Sequence, residues 1–266
     1  MVTPAGSAGL TGCLEEMDRR GLIPDGCLAV CCVGPAARGW ADEGGTYDFH
    51  VVSTGPWTGE GARALPVGLD PAEVPSVALS VAGRRWEITY WLEGQVRQVL
   101  AKVTRERFEG GGSAVGVLTD AEELFLERMS APLALSGTEW AKECKRQIDG
   151  SAFRAFVTTR SLAAADRAIE DAGRRLAARD VPSAVLAARS ALGHTVDALL
   201  ESESDFGSRA PRRRTRRLRE TRPRALPFAE YWAMETMRSY DPARPEEWVT
   251  TVVQRCRDLA FEVEIS

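Results

Sequence analysis

Two hydrophobic periodicities divide this chain. Between residues 27 and 91 the apolar positions come in short runs or alternate with polar ones; beyond about residue 115 they recur at three- and four-residue intervals. Cys27–Val33 is a continuous apolar run between Gly26 and Gly34, the pattern of a buried strand, and residues 47–53 make a second strand. Val77–Val81 and Trp86–Trp91 flank Ala82-Gly83-Arg84-Arg85 and predict a β-hairpin. Leu10, Leu14 and Met17 predict a helix over 8–20, ended by Gly21 and Pro24-Asp25-Gly26. Residues 54–75, rich in Gly and Pro, read as a loop, and Glu93–Phe108 as an amphipathic helix ending at Gly110-Gly111-Gly112.

After the triple glycine, helical spacing covers 120–130, 138–148, 151–179, 182–202, 228–239 and 245–262. Asp180 and Pro182 suit the N-cap and first turn of the 182–202 helix. The expected fold class is therefore α/β plus all-α: a small mixed-sheet domain over 1–115, then a helical bundle over 116–266. Residues 203–227, polar and broken by Pro211, Pro223 and Pro227, predict a long, mobile, Arg-rich loop between bundle helices.

Composition narrows the partners. A net charge of −4 over 266 residues gives no global field favouring nucleic acid or membrane. No apolar run reaches the roughly 18 residues of a membrane span, and the first residues lack the basic-then-apolar order of a signal peptide, so a cytoplasmic protein is expected. Cys13, Cys27, Cys31, Cys32, Cys144 and Cys256 form no CxxC pair, and His50 and His194 are the two histidines; reduced, buried thiols are expected rather than a zinc site.

The chemistry concentrates between residues 34 and 50. Gly34-Pro35 follows the first strand; Arg38-Gly39-Trp40-Ala41-Asp42-Glu43 reads as a short helix and turn; Thr46, Asp48 and His50 share one strand face by alternation. On the hairpin, Glu87 shares a face with Thr89 and Trp91. This order resembles the core of the nucleotidyltransferase superfamily, in which a Gly-Ser turn cradles phosphates and an Asp-x-Asp pair with a third acid holds Mg²⁺. The resemblance implies a phosphate loop at Gly34, Pro35, Arg38 and Gly39, metal held by Asp48 and Glu87, and Thr46 and His50 beside them. Against that pattern, Pro35 stands for the serine and, without gaps from Gly39, Thr46 for the first carboxylate. Pro35 removes an N–H and a hydroxyl, and Thr46 removes a negative charge from a site meant for cations. In a shifted register Asp48 would be the first acid position and His50 the second.

The helical part resembles the tail of aminoglycoside-type nucleotidyltransferases, which builds the acceptor wall of their cleft. Arg189 and His194 fit the R-x4-H spacing of the related HEPN ribonucleases, but a five-residue step turns about 140° on a helix, so a salt bridge for Arg189 and an interface place for His194 are expected. Residues 209–224 hold nine arginines without interleaved aromatics, which reads as a solvated run; binding of phosphates or RNA through Arg209–Arg224 is the alternative. Phe228, Tyr231, Trp232 and Tyr240 are expected in the bundle core, and Trp40, Trp57 and Trp91 near the cleft. Three functions compete. The first is Mg²⁺-dependent transfer of a nucleoside monophosphate from an NTP to a small-molecule acceptor, in antibiotic modification or specialised metabolism. The second is a protein of this fold that binds a ligand or partner, or does other chemistry, without nucleotidyl transfer. The third is a HEPN-like module acting on RNA.

Overall fold

The computed structural model describes residues 10–41, 44–110 and 116–265. The chain forms two compact units, Met1–Phe153 and Arg154–Ser266. The first holds α1 (Cys13–Arg19), β1 (Cys27–Val33), β2 (Tyr47–Ser53), β3 (Arg63–Pro66), β4 (Glu73–Val81), β5 (Arg84–Leu92), α2 (Glu93–Lys102), α3 (Arg105–Glu109), α4 (Asp120–Met129), β6 (Leu133–Ser136) and α5 (Thr138–Gly150). The strands make one mixed sheet in the order β3-β4-β5-β2-β1-β6, in which only β2 and β5 run parallel.

Strand alternation sorts the side chains of this sheet. Val30, Cys32, Phe49, Val51, Ile88 and Tyr90 face α1 and pack with Leu10, Cys13 and Met17. Asp48 and His50 of β2 and Glu87, Thr89 and Trp91 of β5 take the opposite face. There Phe125 of α4 meets both His50 and Trp91. The hairpin closes on a two-residue turn, Ala82 and Gly83, both at positive φ, the conformation whose twist matches the strands it joins. The cysteines are free, five of them buried and Cys27 partly so. Burial pushes Cys31, Cys32 and Cys144 up to about 12, which keeps these thiols protonated and unreactive.

Three expectations change here. The 54–75 segment contains β3 and the start of β4: Arg63–Pro66 pairs antiparallel with Glu73–Ser76, an edge strand whose short span and Pro66 hide it from pattern reading. The helix expected over 93–108 is two, because Thr104 caps a new start, its side chain accepting from the Arg107 N–H at 3.4 Å. The boundary expected near 115 lies at 153, since residues 120–150 supply α4, β6 and α5 to the first unit and β6 extends the sheet beside β1. At that edge Gly137 has φ 68°, and a Cβ there would meet the Leu28 carbonyl oxygen at 2.0 Å. Gly137→Ala should therefore cost about 2–3 kcal/mol of stability in a urea titration, from overpacking and the lost left-handed conformer together.

The second unit holds α6 (Phe153–Ala177), α7 (Val181–Ser202), a 3₁₀ turn over Pro211–Arg213, α8 (Arg214–Thr221), α9 (Phe228–Glu235) and α10 (Pro245–Ala260). Asp180 caps α7, accepting from the Ser183 N–H at 3.4 Å, with Pro182 in the first turn. Helix α7 is buried over most of its length. Leu192, Val196 and Leu199 pack in one core with Val249, Val252 and Trp248 of α10.

The expected mobile loop over 203–227 is instead ordered by a buried anion. Asp197 of α7, 2 % exposed, accepts from Arg214 Nη2 at 2.6 Å and from Arg217 Nη1 at 2.9 Å, and Arg217 is itself 1 % exposed. Arg217 also donates to the Asp205 carbonyl, and Thr221 Oγ1 donates to the Asp205 carboxylate at 2.8 Å. A charge this deep demands a partner, and spacing i, i+3 on a helix is what lets both guanidiniums reach it. The run is thus pinned as α8 rather than left in solvent.

Candidate functional site

The site is built on the parallel pair at the sheet centre. Register places Asp48 of β2 opposite Glu87 of β5 and, on its other side, opposite Val33 of β1. The two carboxylates therefore stand side by side on one face. Gly34 follows β1 at φ 68°, and a Cβ there would lie 3.2 Å from Asp48 Oδ2 and 3.8 Å from Arg128 Nε. Glycine is needed twice over, for the left-handed turn and for the approach of the backbone to the carboxylate. The expected helix after it is a run of turns. Gly39 N–H donates to the Ala36 carbonyl at 3.1 Å and Trp40 N–H to the Pro35 carbonyl at 2.7 Å, and positive φ at both Gly34 and Gly39 leaves too few residues between for a helix. Arg38 lays its guanidinium 4.9 Å from the centre of the Trp40 ring. Asp42 and Glu43 of this segment, like the triple-glycine positions 111 and 112, lie outside the described residues.

Both carboxylates face arginines that the sequence did not single out. Arg128 Nη2 of α4 lies 3.5 Å from Asp48 Oδ1, with both side chains largely buried, and Arg63 Nη2 of β3 lies 3.7 Å from Glu87 Oε1 nearer solvent. Above this floor is a cavity of about 600 Å³ whose lining includes Arg63, Gly68, Glu87, Thr89, Thr119 and Arg128. Its rim is locked by Glu122, fully buried in α4, which accepts from the Gly68 N–H at 2.7 Å and from Lys102 Nζ at 2.8 Å on each oxygen. Thr119-x-x-Glu122 is a capping box legible in the sequence; its reach to Lys102, twenty residues away, is not. Nothing local marks Arg128 either, since it lies on a helix turn whose neighbours Phe125, Leu126 and Met129 are core.

The remaining candidates are placed differently. Thr46 precedes β2 and is half-buried; it brings a hydroxyl and no charge. His50 is 2 % exposed between Trp91 and Phe125, with ring centroids at 6.3 and 5.4 Å, and neither ring nitrogen has a hydrogen-bond partner. Burial, reinforced by the Arg128 charge, holds its imidazole well below the usual histidine range and therefore neutral. Trp91 packs beneath the site with His50. Trp57 stacks on Tyr90 at 4.5 Å on the opposite face, because Tyr90 is one residue out of phase with Glu87 and Thr89.

Two Mg²⁺ ions need a cluster of carboxylates free to turn toward them. Here Thr46 stands at one ligand position and a guanidinium lies against each carboxylate, so these residues do not fit a two-cation centre. Among the described residues, no group of three His, Cys, Asp or Glu is arranged to hold a metal. In the second unit Arg189 Nη2 donates to Glu235 Oε1 at 3.2 Å, the acid partner expected for it, while His194 is half-buried with its imidazole lowered by burial. No helix among the described residues is long and apolar enough to cross a membrane.

The chain matches no protein-family model and no curated protein sequence. Among solved structures it is similar to a nucleotidyltransferase-like protein from Exiguobacterium sibiricum 255-15, over 95% of this chain and 74% of that one, with a TM-score of 0.50 and 10% sequence identity. At that identity the likeness is one of fold. The chain has a nucleotidyltransferase-like fold, a mixed-sheet α/β part followed by helices.

Proposed function

We propose that this chain uses a nucleotidyltransferase-like fold to bind a phosphorylated small molecule of the nucleotide class through arginine, without metal-dependent nucleotidyl transfer. The observation that carries this reading is the Arg128 guanidinium beside Asp48. In the superfamily's scheme that carboxylate faces a divalent cation; here it faces a fixed, permanent single charge. Asp48 orients the fork, Gly34 lets the backbone come close to it, and Arg63 and Arg128 line a cavity of the size that takes small ligands. Guanidinium forks suit phosphate oxygens, and the Thr89 and Thr119 side chains lie in the same lining.

Calorimetry with ATP, GTP, CTP and UTP, with and without Mg²⁺, tests this. Binding is expected at similar affinity without Mg²⁺, weakened about tenfold or more in Arg128→Ala, with no pyrophosphate released beside a small-molecule acceptor panel. Binding that needs Mg²⁺, together with pyrophosphate release that disappears in Asp48→Asn, would restore the transferase reading, with Asp48 and Glu87 as metal ligands. Silence in every titration, with binding appearing in a Pro35→Ser, Thr46→Asp double variant, would remove the nucleotide from the proposal.

A further inference from the structure

The arginine run that the sequence left as a bare charged stretch gains aromatic neighbours in the fold. Because Asp197 holds Arg214 and Arg217 inward, the helical period turns Arg212, Arg216 and Arg219 outward, and all three are exposed. At the end of that stripe the Arg219 guanidinium lies 4.2 Å from the centre of the Phe228 ring. Phe228 in turn is stacked on Trp232 one helical turn along α9, with centroids 6.1 Å apart and planes 12° from parallel. Trp232, expected in the core, is 39 % exposed, because Tyr231 beside it takes the buried side of α9. Arg222 is joined to the same end, its Nε donating to the Arg219 carbonyl at 3.2 Å.

Charge accumulates here against the chain's overall sign. Residues 209–232 hold nine arginines and two acids, Glu220 and Glu230. Both acids are engaged: Glu220 with Arg216 at 3.3 Å and Glu230 with Arg255 at 2.6 Å. From the ladder Arg219–Phe228–Trp232 and the arginine stripe leading to it, we infer that this face of the helical unit binds single-stranded nucleic acid, phosphates along Arg212, Arg219, Arg222 and Arg224 and an unpaired base on Trp232. Charge alone would serve any polyanion. The flat, accessible end of an aromatic stack is what an unpaired base uses and what a duplex, with its base faces hidden, cannot reach. These residues all belong to the second unit, and the inference does not rest on the ligand proposed for the first.

Fluorescence anisotropy of the full chain with labelled 12-nucleotide oligouridylate and oligothymidylate, across a salt series, tests it. Binding at about 50 mM salt is expected, with a log–log salt slope of roughly −3 for about four phosphates. Trp232→Ala and Arg219→Ala should each weaken it about tenfold, while Trp232→Phe restores most of the affinity. These side chains are exposed, so unchanged urea midpoints separate lost binding from lost folding. The inference is overturned by an absence of binding at that salt, by equal affinity for a duplex or polyglutamate with Trp232→Ala silent, or by attachment to phosphatidylserine vesicles instead of the oligonucleotides.

Discussion

Replacing Asp197 by alanine should destabilise the helical unit by about 3–5 kcal/mol. The carboxylate is 2 % exposed and receives charged hydrogen bonds from both Arg214 and Arg217. Removing it takes the carboxylate from Arg214 and leaves Arg217, at 1 % exposure, facing the more distant Asp205 carboxylate at 3.6 Å. The cost is mainly that of uncompensated buried charge, not the loss of an attractive pair. Asp197→Ala with Arg214→Met and Arg217→Met together should therefore recover most of the loss. Urea titration measures the size, and hydrogen exchange at α7 and α8 localises it. A cost below about 1 kcal/mol would mean that α8 is held by packing of Leu218 alone, and the ordering of the arginine run would need another cause. Because α8 presents the stripe from Arg212 to Arg219, Asp197→Ala should also weaken oligonucleotide binding while touching no binding residue.

The second large effect is a pH dependence with its origin at Glu201. This side chain is 1 % exposed at the end of α7, and its Oε2 atom has no hydrogen-bond partner. Burial pushes its carboxyl up to about 8, with hydrogen bonds from Ser161 and Ser208 and the Arg217 charge opposing and Asp197 adding to the rise. A carboxyl raised on folding stabilises the folded chain while it stays protonated. Its contribution is complete below the ordinary glutamate range and is lost as pH climbs from about 4.5 to about 8. The total is about 3–5 kcal/mol at 1.4 kcal/mol per unit. His194 works in the other direction, since an imidazole lowered by burial favours folding as pH rises through its ordinary range. The comparison that isolates Glu201 is wild type against Glu201→Gln. The variant should be more stable than wild type at pH 8.5, and the difference should shrink toward pH 5. Parallel stability curves for the two proteins would place the Glu201 carboxylate in contact with water.

Particular residues show how far the sequence reached. Cys27 to Val33 read as a strand because a buried strand must be apolar, and alternation, with its period of two, placed Asp48 on a face with His50 and Glu87 on a face with Thr89 and Trp91; that these are the same face follows from the pairing of β2 with β5. The hairpin at Ala82-Gly83 and the α7 cap at Asp180 were legible because turns and caps are local chemistry. Edge strand β3 and the four-residue β6 escaped, since four residues carry too little pattern. Arg128 escaped because its meaning lies in its distance from Asp48, eighty positions earlier. The same holds for the arginine run, whose composition reads as solvated until Asp197 buries two of its members.

By itself, then, the sequence determined the strands of the central core, which residues of each share a face with Asp48 or with Glu87, the turn at Gly34 and the helical character of the second half. These follow from periodicity and backbone permissiveness within a few residues. Only the tertiary structure decided that Arg128 and Arg63 face those carboxylates, that His50 is sealed in neutral form, that Asp197 makes an ordered helix of the arginine run and that Trp232 stands at its exposed end. Each of these depends on charges and rings brought together from distant segments, and the free energy of a buried or stacked charge is set by that juxtaposition, which no local pattern encodes.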